Sequence, residues 1–123
     1  MKKIYYLSTC DTCKRIMKET GLADNENFIR QDIKTEKITS EQLDELKKMA
    51  GSYEALFSRR SNKYKELGLK DKTLTEEDIR SFILEAYTFL KRPVVIINDR
   101  IFIGSEKKTV EEMRKALAIL RKG

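Results

Sequence analysis

Two cysteines sit near the start of the chain, in Ser8-Thr9-Cys10-Asp11-Thr12-Cys13-Lys14-Arg15, and they are the only cysteines among 123 residues. A Cys-x-x-Cys pair that follows an apolar strand and opens a helix has the spacing of a thiol redox site. The unpaired N–H groups and the positive dipole end of such a helix fall on the first sulfur. Lys14 and Arg15 add positive charge one turn away. Both effects favour thiolate over thiol, so Cys10 is expected to be the nucleophile, with a depressed pKa. Cys13 lies one turn further in, where it is positioned to attack a disulfide or adduct on Cys10, the task of a resolving thiol. The blander alternative is a pair of small residues packing a strand–helix junction.

Other chemistries are closed off. Histidine is absent, which removes Ser-His-Asp and Cys-His catalysis. It also leaves no imidazole for zinc, and two cysteines alone do not complete a four-cysteine site, so no metal is expected. The net charge is +6, but the 26 basic residues are dispersed among 20 acidic ones. That is a solvated mixed-charge surface rather than a basic block with interleaved aromatics, so direct nucleic-acid binding is not expected. No apolar run approaches the roughly 18 residues of a membrane span, and the apolar start at Ile4-Tyr5-Tyr6-Leu7 is too short for a signal-peptide core. The expectation is a cytoplasmic protein. In a reducing cytosol a Cys-x-x-Cys is catalytic, redox-sensing or metal-binding more often than a structural staple.

The elements that must hold the thiols can be read along the chain. Residues 3–7 read as a short buried strand, and 11–20 as a helix stopped by Gly21. Residues 27–32 read as a second strand with Phe28 and Ile29 inside it, completing a βαβ unit. Thr39-x-x-Gln42 is a capping box for a helix to about residue 50, with Leu43, Leu46 and Met49 on one face and Gly51 at its end. Short helical pieces are expected at 52–57 and 61–67, the latter stopped by Gly68, and a longer helix at 76–88 with Ile79, Phe82, Ile83 and Ala86 on its apolar face. Residues 93–97 read as a strand, Asn98-Asp99 as a tight turn and 100–104 as the returning strand. Thr109-x-x-Glu112 reads as a capping box opening a final helix, with Val110, Met113, Ala116, Leu117 and Leu120 on its apolar side.

This order predicts an α/β chain of thioredoxin-like, glutaredoxin-like class. It has a four-stranded mixed sheet and a helical insertion, about residues 35–90, between the second and third strands. One domain over residues 1–123, with one core spanning both parts, is expected. In that setting Pro93, the only proline, opens the strand beside the thiol helix. Its bond to Arg92 is a candidate for cis, exposing backbone that a substrate can pair with; a trans proline at a strand start is the ordinary alternative. Arg92 would point toward the thiols. Arginine presents a planar fork of donors suited to oxyanions and carboxylates, and Arg59 and Arg60 lie in the helical insertion.

Three stretches resemble the glutaredoxin-coupled arsenate reductases and their relatives, which include the Spx transcriptional regulators. They are the strand followed by Cys10-Asp11-Thr12-Cys13-Lys14-Arg15; the segment Glu54-Ala55-Leu56-Phe57-Ser58-Arg59-Arg60-Ser61-Asn62-Lys63-Tyr64 running on to Leu67-Gly68-Leu69; and Lys91-Arg92-Pro93-Val94-Val95. The resemblance covers nearly the whole chain in order. It implies a thiol oxidoreductase in which Cys10 attacks a small oxyanion such as arsenate, or a disulfide. Arg92 and Arg60 would hold the anion and stabilise the thiolate, and Cys13 would resolve. Thr9, Asp11, Thr12, Lys14 and Pro93 would line the substrate site. No bound cofactor is implied; glutathione, glutaredoxin or thioredoxin would be the reductant. The reductases carry a further arginine where this chain reads Ile103-Gly104-Ser105-Glu106, and they use a single cysteine where this chain has two. The paired thiols match Spx, so the alternative is a redox-switched regulator that binds the RNA polymerase α-subunit through the helical insertion, with residues 51–60 in its docking face.

Overall fold

The computed structural model describes residues 1–122, with side chains to Leu120. The chain divides into two compact units: residues 1–36 together with the segment from Arg92 onward, and Lys37–Lys91.

The first unit holds the sheet. Strand β1 (Lys2–Tyr6) runs into helix α1 (Asp11–Thr20), which returns the chain to strand β2 (Ile29–Asp32). A crossover helix is what allows β1 and β2 to lie parallel, and they pair with Tyr6 opposite Asp32. Strand β3 (Val94–Ile97) and strand β4 (Arg100–Ile103) form the expected hairpin. Asn98 supplies the positive φ, 56°, that its turn requires. β3 lies antiparallel to β1, giving the order β2-β1-β3-β4. Helix α5 (Lys107–Lys122) closes the unit.

Ile4, Ile16, Met17, Leu22, Val95, Phe102, Met113 and Leu117 belong to one buried cluster in this unit. The period-2 pattern of the strands and the i, i+3, i+4 pattern of α1 and α5 thus meet in one core. Gly21 ends α1 in the left-handed region at φ 80°.

In the second unit, helix α2 (Ser40–Ala50) starts at the Thr39–Gln42 capping box, with both reciprocal bonds present. Helix α3 (Asn62–Glu66) is short, and helix α4 (Glu76–Glu85) follows. Arg80 clamps Asp44 with Nε at 2.9 Å and a second nitrogen at 3.2 Å, tying α4 to α2. The Tyr53 hydroxyl donates to the same carboxylate. The Arg80 guanidinium and Tyr53 hydroxyl hold Asp44 well below the usual carboxylate range, at about 2.

Three expectations of detail are corrected. Ile29 is exposed, because β2 is an edge strand and Ile29 is its first residue; Phe28, just before it, is the buried one. Helix α4 stops at Glu85, and Ala86 is extended. A 3₁₀ turn, Tyr87–Phe89, then carries Phe89 onto the Phe57 ring at 5.5 Å, so aromatic burial ends the helix early. Helix α5 begins at Lys107, two residues ahead of Thr109, and Val110 N–H already donates to Glu106 C=O at 3.0 Å. Thr109 therefore lies inside the first turn and caps nothing.

Candidate functional site

The thiols stand at the end of β1. The chain leaves β1 and turns at once, with Cys10 N–H donating to Leu7 C=O at 3.0 Å. Cys10 is the N-cap of α1, extended at φ −94° and ψ 113°, and its C=O accepts the first helical bond from Lys14 N–H at 3.1 Å. This geometry leaves the N–H groups of the first turn facing the Cys10 sulfur. Burial pushes the Cys10 thiol up. The Cys13 N–H, the Cys13 thiol, the Arg92 guanidinium and the Thr12 N–H oppose that, and the thiol ends below its ordinary value. Cys10 keeps partial access to solvent, while Cys13 is fully buried. Burial first, then the neighbouring Cys10, pushes the Cys13 thiol up to about 12.

The two sulfurs therefore have different standing. Cys10 is the accessible thiol, shifted toward its anion, and Cys13 is a buried, protonated thiol hydrogen-bonded to it. Native protein treated with iodoacetamide at pH 7 is expected to be alkylated at Cys10 alone, with Cys13 reacting only in denaturant; peptide mass mapping reads this. Because the Cys13 value is raised, its neutral burial favours the fold fully below the ordinary value of 9.0, and that contribution is lost as pH climbs toward 12.

Arg92 and Pro93 reach the same place from the neighbouring strand. The β1–β3 register sets Tyr5 opposite Val94, so the residues just before Val94 lie beside the end of β1, where the thiol turn begins. The Arg92–Pro93 bond is cis. Pro93 is buried and its C=O accepts from Gly104 N–H at 2.9 Å. Arg92 is half-buried, and its positive charge lowers both thiols.

Of the remaining site candidates, Thr9, Asp11 and Lys14 are exposed around the thiols and Thr12 is half-buried. Arg60 belongs to the second unit. Its backbone N–H contacts Ser58 Oγ at 3.4 Å, and its guanidinium makes no hydrogen bond or ion pair among the described residues. Arg59 differs: it pairs with Glu54 at 3.2 Å and with the Tyr64 hydroxyl at 3.3 Å, and lies over the Phe57 ring. Packing consumes Arg59 and leaves Arg60 for other work. Arg100 lies over the Phe102 ring, at 4.9 Å. Among the described residues no group of three or more Cys, Asp or Glu is gathered as a metal would need. No helix among them is long and apolar enough to cross a membrane.

One pair beside the thiol turn has no local signal in the sequence. Asp32, at the end of β2, accepts from Ser8 Oγ, from Ser8 N–H at 3.5 Å and from Lys34 N–H at 3.1 Å. The Ser8 hydroxyl, outweighing burial, pulls the Asp32 carboxyl below its ordinary value. Ile33 N–H adds a bond to Tyr6 C=O at 2.9 Å. Together these fasten the segment that leads into Cys10 to the neighbouring strand. The signal was available only through register, since parallel pairing of β1 and β2 brings the ends of both strands together.

The profile of the ArsC family matches residues 5–113. An arsenate reductase from Yersinia enterocolitica is 27% identical over 93 residues, a match spanning 76% of this chain and 66% of that relative, just under two thirds of its length. An arsenate reductase from Vibrio cholerae superposes with a TM-score of 0.69 at 24% identity, covering 90% of this chain and 95% of the other. A Staphylococcus aureus protein superposes with a TM-score of 0.71 at 26% identity, covering 91% and 97%.

Proposed function

This chain belongs to the ArsC family, and from that premise we propose that it is a thiol-dependent reductase in which Cys10 attacks a small oxyanion, arsenate being the reference substrate. The observation that carries the proposal is the state of Cys10: an accessible thiol at a helix N-cap, held toward thiolate by two backbone N–H groups, the Cys13 thiol and the Arg92 charge. The relatives named as arsenate reductases support the substrate class.

In this reading the Cys10 thiolate bonds to arsenic(V), and a hydroxide leaves as water. Arg92 neutralises charge on the oxyanion, and Arg60, whose guanidinium has no hydrogen-bond or ion-pair partner among the described residues, is the second anion-binding candidate. Thr9, Asp11, Thr12, Lys14 and Pro93 surround the bound anion. The reduction takes two electrons, supplied when two thiols become one disulfide. Arsenate and two thiols thus give arsenite, a disulfide and water. The chain holds no cofactor in this scheme; glutathione is the thiol, and glutaredoxin or thioredoxin restores Cys10. The cytoplasm, rich in these thiols, is the compartment that fits.

A second reading is favoured by Cys13. Its thiol is hydrogen-bonded to Cys10, so an oxidant such as peroxide could take two electrons from the pair and close a Cys10–Cys13 disulfide. In this reading the chain is a Spx-like regulator whose helical unit binds the RNA polymerase α-subunit. Mass-spectrometric trapping separates the two. A glutathione adduct on Cys10 that requires arsenate supports the reductase. A Cys10–Cys13 disulfide formed without regard to arsenate contradicts it and supports the switch.

A further inference from the structure

A cavity of about 290 Å³ opens in the first unit between α1 and β2. Its walls follow from the local structure. Lys14 and Met17 are three apart on α1 and so share a face. Tyr6 and Arg30 come from adjacent strands, where Ile4 pairs with Arg30 and Tyr6 with Asp32, which puts them on one side of the sheet. Ala23 lies on the 3₁₀ turn after Gly21, and Ser8 comes from the segment leading to Cys10.

The charges here are unbalanced. Lys14 makes no ion pair or side-chain hydrogen bond among the described residues. Arg30 is fixed by one guanidinium nitrogen to the carbonyls of Leu22, Ala23 and Asn25 at 2.8, 2.9 and 2.9 Å. Those acceptors are neutral, so its positive charge stands. No carboxylate lines the cavity. Asp32 is not among the lining residues; its carboxylate, held by Ser8 and by Lys34 N–H, keeps its negative charge, and the two lining cations outnumber it. The volume falls at the lower edge of small-molecule sites, roughly 300 Å³ and up. Tyr6, Met17 and Ala23 offer apolar contact between the two cations. The cavity also adjoins the nucleophile's own turn, since Ser8 precedes Cys10 by two residues and Lys14 N–H bonds to Cys10 C=O.

We infer that this cavity is a subsite for the carboxylate-bearing arm of the small anionic thiol that exchanges with Cys10. The inference rests on Cys10 being the reactive thiol proposed above. The step is thiol–disulfide exchange. The incoming thiolate attacks the disulfide carried by Cys10, the old S–S bond breaks and a new one forms, and the electron pair departs on the sulfur that leaves. Lys14 and Arg30 raise the local concentration of the anionic thiol and orient it, without touching the sulfur.

The test loads Cys10 with 5-thio-2-nitrobenzoate in a Cys13→Ser background and follows its coloured release by two thiols of similar size. One is 3-mercaptopropionate, which carries a carboxylate; the other is 2-mercaptoethanol, which is neutral. Rates are compared per thiolate at low salt. Lys14→Gln and Arg30→Gln are each expected to slow mercaptopropionate roughly two- to fivefold, the range of one exposed charge contact. In Arg30→Gln mercaptoethanol should be unaffected; in Lys14→Gln, whose side chain also faces the oxyanion site, the readout is the ratio of the two thiols, which should fall and which Lys14→Arg should restore. The neutral thiol, measured on the same protein, corrects for any change in Cys10 itself or in folding. Equal effects on both thiols, or none on either, overturn the subsite. In a second arm, unreactive S-methylglutathione is titrated while amide shifts are recorded; shifts centred on Tyr6, Ala23 and Arg30 support it, and shifts elsewhere or none overturn it. Failure of Cys10 to take up the label refutes the nucleophile instead, a result distinct from loss of charge discrimination.

Discussion

Replacing Cys10 with serine is expected to lower thiol-dependent arsenate turnover by roughly ten-thousand-fold or more, the scale seen when a covalent nucleophile is removed. The structure explains why a near-isosteric change is so severe. The first turn of α1, the Cys13 thiol and Arg92 all act on the Cys10 sulfur to favour its anion against the cost of burial. A serine hydroxyl in the same place stays protonated at neutral pH, so those groups have no anion to stabilise. It also cannot form the disulfide through which electrons pass. Cys13→Ser is expected to behave differently, because Cys13 is buried and protonated and acts on Cys10 only as a neighbour. Steady-state assays with arsenate and glutathione measure both. Turnover within tenfold of the parent in Cys10→Ser would remove the proposed mechanism.

The second large effect is expected at Arg92. Its charge lowers Cys10 and its fork is suited to an oxyanion, so Arg92→Ala removes two contributions at once. Loss of one preorganised oxyanion donor costs roughly a hundred- to a thousandfold in rate, and turnover should fall on that scale. The pH dependence separates the contributions. Alkylation of Cys10 follows its thiolate fraction, rising with pH through the thiol pKa and levelling above it. In Arg92→Ala that inflection should move to higher pH, leaving less thiolate at neutral pH. Arg92→Lys restores a positive charge but not the planar fork. It should bring the inflection back down while leaving arsenate turnover depressed. An unchanged inflection in Arg92→Ala would mean that the guanidinium does not act on the thiol.

Much of this arrangement was legible from local chemistry. The Cys-x-x-Cys, the Gly21 stop, the Thr39–Gln42 box and the Asn98 turn each concern residues within a few positions of one another, and all appear as expected. The order of strands and helices then implied the sheet, and made the Arg92–Pro93 bond a candidate for cis, which it is. The departures were decided partly at longer range and partly by residues just outside a motif. The Thr109-x-x-Glu112 pattern satisfies the capping-box rule, yet a capping residue must itself be non-helical, and α5 had already begun at Lys107. The end of α4 depended on Phe89 finding Phe57, which is distant in the chain. Ser8 and Asp32 are 24 residues apart and meet only because two strands run parallel. The capping box at Thr75 and Asp78 is hard to read from the sequence because an aspartate stands where glutamate or glutamine is usual. Arg59 and Arg60 are adjacent and chemically identical. Only the contacts of Arg59 with Glu54, Phe57 and Tyr64 separate a packed arginine from an available one.

In the proposed mechanism Cys10 is the thiolate that carries electrons to an oxyanion. Intact-mass and peptide analysis of reduced protein, quenched in acid after brief exposure to arsenate and glutathione, reads that role at the sulfur itself. A glutathione mixed disulfide on Cys10 should accumulate only when arsenate is present, with Cys13 unmodified. A Cys10–Cys13 disulfide forming at the same rate with and without arsenate, and no arsenate-dependent adduct on Cys10, would contradict it.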